Sequence, residues 1–126
     1  MTIGLISHPA CRLHRMGAGH PECPERLSAI DDRILASGLD MALRHYEAPQ
    51  ASREQLTRVH DPAYVETIFD AAPSEGLVWI DPDTAMNPHT LEAALRAAGA
   101  AVMGADLLMQ GREQAVFCNV RPPGHH

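Results

Sequence analysis

Two short runs that stay largely apolar without alternating constrain this chain most: IGLIS at Ile3–Ser7 and AVFCNV at Ala115–Val120. A strand with one wet face alternates apolar and polar side chains. A strand buried on both faces does not, and it needs helices on either side of a parallel sheet. The intervening sequence supplies them. Pro24-Glu25 opens a helix whose Leu27, Ile30 and Ile34 share a face and whose stop is Gly38. ALRHYEA (Ala42–Ala48) reads as a second strand, and Ser52 with Gln55 forms a capping box for a short helix. Asp61-Pro62 starts another, with Tyr64, Val65, Ile68 and Phe69 as its apolar side. LVWIDPDT (Leu77–Thr84) is extended and runs into a polar loop. The longest helix is predicted from Asn87-Pro88 to about Gln110, ended by Gly111. Its predicted buried stripe is Leu91, Leu95, Ala98, Val102, Ala105 and Leu108 or Met109, interleaved with small residues.

Strands alternating with helices predict an α/β fold with parallel strands, built as one domain over residues 1–126. Ligands of such sheets bind beyond the carboxyl ends of the strands. Three polar segments follow predicted strands: the loop HPACRLHRMGAGHPEC, the stretch around Asp81 and Asp83, and the terminal RPPGHH. They are expected to meet at one edge. The net charge of −6 argues against a general nucleic-acid surface. The longest apolar stretch, Ala97 to Met109, is too short to span a bilayer and is broken by Asp106. Cys11, Cys23 and Cys118 form no C-x-x-C pair, and the N-terminus has no signal-peptide pattern, so a reducing, cytoplasmic setting is expected.

Adjacent side chains on a strand point to opposite faces, so His125 and His126 reach one site only from a loop. Pro122, Pro123 and Gly124 provide the end of the strand and the turn. Imidazoles that titrate near neutrality suit an acid or base acting on water, although a solvated terminal pair or the start of a tag has the same letters. His8, His14 and His20 share one loop, but their even six-residue spacing matches no helical metal pair, and His20 is expected to pack the loop's return. His60 is expected to orient the helix start at Asp61; His45 and His89 carry no signal. Glu25 is explained by the helix dipole.

Four motifs, GHPECPERL (Gly19–Leu27), VHDPAYV (Val59–Val65), DPDT before an Ala/Gly-rich helix, and RPPGHH, stand in the order found in the histone deacetylase family. Over nearly its whole length the chain resembles these zinc-dependent amidohydrolases, and its RPPGHH spelling is similar to that of the class II and bacterial branches. The resemblance implies an open arginase–deacetylase sheet in three layers, α/β/α, here truncated after about three strands. It implies hydrolysis of acetyl-lysine or an acetylated small amine such as a polyamine. His125 then corresponds to the mainly electrostatic histidine beside the attacking water, and His126 to the proton shuttle. Arg26 matches the arginine lining the internal cavity; pairing with Glu22 or Glu25 on the surface is the competing expectation. Asp83 matches the substrate-gripping aspartate at the rim, with Asp81 the competitor, and either also suits a turn.

The departure is at the end of the chain. The family's zinc ligands, an Asp-x-His pair and a later aspartate, have no counterpart here, so no metal ligand is assigned and zinc is expected only in a full-length enzyme. The chain is accordingly expected to be the N-terminal portion of a longer deacetylase, inactive alone. A metal-free regulatory or acyl-binding module is the alternative. With no neighbour on its outer side, strand 115–120 is expected to pair with a second copy as a homodimer.

Overall fold

The computed structural model describes residues 2–124. His125 and His126, the predicted catalytic pair, lie outside the described residues. Strands β1 (Ile3–Ser7), β2 (Leu43–Glu47) and β5 (Ala115–Cys118) form a parallel sheet in the order β2-β1-β5. Ile3 stands opposite Leu43 on one side and Ala115 on the other. All three strands therefore deliver their following loops to one edge, as the alternation of elements predicts.

Helix α1 (Glu25–Ser37) covers one face and α4 (Thr90–Met109) the other. Gly38 ends α1 with φ +78°, a left-handed conformation that glycine takes without strain. The main core lies under α4, where Ile6, Ala48, Ala100 and Leu107 are buried together with Val116 and Met103 packed against them. The α1 face is looser: Ile3, Leu5, Ile30, Ile34 and Phe117 line an apolar groove of about 290 Å³. After β2 come α2 (Arg53–Thr57), opened by the complete Ser52/Gln55 capping box, and α3 (Pro62–Ala71), capped by Asp61; the two pack on each other and are largely exposed.

Three expectations need correction. Helix α4 begins at Thr90, not Asn87, because the Asn87 N–H and side chain are engaged with the Thr90 hydroxyl in a turn. Its buried face is Thr90, Ala93, Gly99, Ala100, Gly104 and Leu107, not the stripe of larger residues; Leu108 and Met109 are exposed. Close approach selects the small side: a Cβ on Gly99 would stand 1.8 Å from the Pro49 carbonyl, and one on Gly104 3.0 Å from Val116. Lastly, Leu77–Thr84 does not simply enter a loop. It forms β3 (Val78–Asp81), which turns back antiparallel on β4 (Thr84–Met86).

At the sheet's amino edge the buried Glu113 carboxylate accepts from the Tyr46 hydroxyl at 2.7 Å and from Thr2, with Arg44 at 3.4 Å. These two hydroxyl bonds hold its pKa below the usual carboxylate range.

Candidate functional site at the carboxyl edge

Beyond the carboxyl end of β5 stands Arg121, whose side chain is 0% exposed. Guanidinium carries five N–H donors and stays charged, so burying it requires acceptors on every side. The first loop supplies them. One terminal nitrogen donates to the carbonyls of Cys11 (2.8 Å) and His14 (2.6 Å). Nε donates to Glu22 Oε2 at 3.2 Å, and the second terminal nitrogen lies 2.9 Å from Glu22 Oε1. The loop between β1 and α1 is thereby bolted to the residue that opens RPPGHH. Part of that loop is regular: Pro9–Arg12 form a 3-10 turn capped by the His8 side chain.

Glu22 is the hub. Arg26, the second residue of α1, sends its Nε toward Glu22 Oε2 (3.4 Å), and its Nη2 donates to the Val120 carbonyl at 2.8 Å. Arg26 is thus paired with Glu22, the competing expectation, while also gripping the end of β5; its side chain is partly exposed. From Glu22 the network continues outward. Its backbone N–H donates to His20 Nδ1, so His20 carries its proton on Nε2 and gives it to the Asp83 carbonyl at 3.0 Å. His20 therefore packs the loop's return, as expected. Asp81 accepts the Asp83 N–H at 2.8 Å and serves the β3–β4 turn, which leaves the Asp83 carboxylate 85% exposed there. Asp83, His20, Glu22, Arg26 and Arg121 form one continuous connection from that turn to the base of RPPGHH.

The loop is also fastened to α4. His14 is 1% exposed and shares a 2.7 Å hydrogen bond between Nδ1 and the Thr90 hydroxyl. Burial, reinforced by the Arg121 cation, lowers its pKa to about 4, so it is neutral near pH 7. The Asn87 side-chain amide donates to the Leu13 carbonyl. Burial likewise raises the Cys11 and Cys118 thiols above their usual range. His60 stacks near Tyr64, with ring centroids 5.7 Å apart, and His45 pairs with Asp40 at 2.8 Å; neither reaches this edge.

Sequence reasoning missed Arg121, Glu22 and His14 as parts of this network. The signal was an arginine directly after an apolar strand, where burial forces it to gather carbonyls. Among the described residues no three His, Cys, Asp or Glu side chains converge to hold a metal ion. They do not fit a catalytic zinc, which takes three protein ligands, and what they contribute is positioning.

The model of the histone deacetylase domain matches residues 20–126. The chain belongs to the histone deacetylase family. It is similar to the histone deacetylase-like amidohydrolase of Pseudomonas aeruginosa, with 36% identity over 86% of this chain and 28% of that protein. It is 33% identical to the human polyamine deacetylase HDAC10, over 100% of this chain and 20% of that protein. A probable deacetylase of Archaeoglobus fulgidus is 31% identical over 100% of this chain and 35% of its own length. The crystal structure of the HDA15 HD domain superposes with a TM-score of 0.90 at 28% identity, covering 99% of this chain and 36% of that one. The architecture is therefore a three-stranded part of the deacetylase α/β fold, and the chain spans about a third or less of the length of these relatives. No helix among the described residues is long and apolar enough to cross a membrane.

Proposed function

We propose that this chain forms the first part of a zinc-dependent amidohydrolase domain that hydrolyses acetyl-lysine or an acetylated small amine such as a polyamine, and that it is inactive by itself. The supporting observation is the buried Arg121 clamp: it ties the base of RPPGHH to the first loop and, through Glu22 and His20, to the Asp83 turn. One edge of the sheet then carries the Asp83 turn and the rigid supports of residues 121–124, and the acid–base roles fall to the two residues that follow. His125 hydrogen-bonds the attacking water and steadies the charge that develops. His126 takes a proton from the water as its oxygen bonds the acetyl carbon and gives that proton to the amine nitrogen as the C–N bond breaks, leaving acetic acid and free amine, which ionise in solution. Asp83 grips the substrate at the rim, and Arg26 lines the cavity that receives acetate. The zinc ligands are supplied from outside this chain.

We further place the protein in the cytoplasm, away from nucleic acid and membrane; the free thiols Cys11, Cys23 and Cys118 and the net charge of −6 support this. Strand β5 has no partner on its outer side among the described residues, and Phe117 is 47% exposed. This supports a homodimer of the chain through residues 115–120; a monomer by light scattering at high concentration would overturn that pairing.

The test is turnover of an acetyl-lysine peptide and an acetylated polyamine by the continuous polypeptide that carries this chain. Zinc-dependent hydrolysis, lost on chelation and restored by zinc, is the predicted result, with Asp83→Asn raising KM more than it lowers kcat. Acyl binding without turnover would instead favour a metal-free regulatory module.

A further inference from the structure

His14 is buried, yet one of its two ring nitrogens, Nε2, has no hydrogen-bond partner among the described residues. The surrounding bonds decide which nitrogen carries the proton. The Asn87 amide is oriented by its Nδ2, which donates to the Leu13 carbonyl, and by its Oδ1, which accepts from the His89 N–H. Oδ1 therefore also accepts the single proton of the Thr90 hydroxyl, at 3.0 Å. Having given that proton away, Thr90 can only accept from His14, so the imidazole proton sits on Nδ1. Nε2 is left as a bare lone pair.

Arg121 is the nearest bonded source of N–H groups, and it has none to spare. Its donors are taken by the Cys11, His14 and Glu22 carbonyls and by the Glu22 carboxylate. Its remaining N–H faces Glu22 Oε1, 2.9 Å away, as an ion pair. His14 Nε2 is thus left without a donor among the described residues. Water is the smallest group with two protons to give, and buried waters occur where polar groups of the protein are left unpaired.

We propose that His14 Nε2 is the fixed acceptor of a buried water molecule. The site accounts for a histidine at a position where burial alone would select an apolar ring. Thr90 sets the tautomer, and Arg121 holds the His14 backbone in place through its carbonyl. The inference stands whether or not the chain serves a deacetylase.

Nitrogen NMR of the histidines in this chain tests it, together with magnetisation transfer from long-lived water to the His14 ring. Expected are a protonated Nδ1, an unprotonated Nε2 and a water contact that His14→Phe removes. Thr90→Val should mix the two tautomers. A proton on Nε2, a coupling across a hydrogen bond from a protein N–H into Nε2, or no bound-water contact would each overturn the assignment. Should His14→Phe fail to fold, the spectrum of the unaltered chain decides alone.

Discussion

At the amino edge of the sheet, the buried Glu113 carboxylate is closed off by Thr2, just before β1, and by Arg44 and Tyr46 of β2. At the carboxyl edge, the buried Arg121 gathers the carbonyls of an irregular loop and pairs with Glu22, and His14 Nε2 is left without a donor among the described residues. A carboxylate bonded to hydroxyls locks regular strands together and titrates. A guanidinium bonded to carbonyls shapes irregular backbone and holds its charge at any accessible pH. The first arrangement ties strands together; the second costs an unpaired polar group and yields a shaped edge on which Arg121, the Asp83 turn and the first loop meet.

That contrast is sharpest at Arg121. Arg121→Met strands two loop carbonyls and the Glu22 carboxylate, and breaking a buried ion pair from one side costs about 3–5 kcal/mol, measurable by urea unfolding. A loss below about 1 kcal/mol would mean that the clamp does not hold the loop. Next comes pH. The unfolded imidazole of His14 takes up a proton near 6.5, the folded one only near about 4. Stability should thus be complete above pH 6.5 and fall by on the order of 3 kcal/mol toward pH 4, a loss that His14→Phe removes. Smaller is the cost of Tyr46→Phe at the other edge, about 1 kcal/mol for one hydrogen bond. The Glu113 carboxyl is held low, so its contribution is present above the ordinary carboxylate range and lost as pH falls through the lowered value; Glu113→Gln should flatten that acid limb. If both edges lost stability in the same pH window, the distinction between them would fail.

The regular parts of the fold were legible because local chemistry decides them. The Gly38 stop, the Ser52/Gln55 box and the Asp61 cap are short-range signals, and the apolar β1 run announces a covered strand, whereas β5 at the sheet edge keeps alternate residues exposed. The buried side of α4 was not, since the largest apolar residues are no guide when backbone contact at Gly99 and Gly104 selects the small face. Motif resemblance offered Asp83 for the rim and Arg26 for the internal cavity; the structure leaves Asp83 exposed on the β3–β4 turn and pairs Arg26 with Glu22. Arg121, Glu22 and His14 escaped because their partners are backbone carbonyls and a hydroxyl far away in sequence; Arg121 Nη1, for instance, reaches the Cys11 carbonyl across 110 positions. No spacing rule encodes such a contact.

The most direct test compares the two edges by turnover of an acetyl-lysine peptide in the continuous polypeptide carrying this chain. His126→Ala should lower kcat by roughly 10²–10⁴-fold, the usual worth of a positioned acid or base, while Glu113→Gln leaves it within about twofold. Unchanged turnover in His126→Ala would contradict the placement of catalysis at the carboxyl edge.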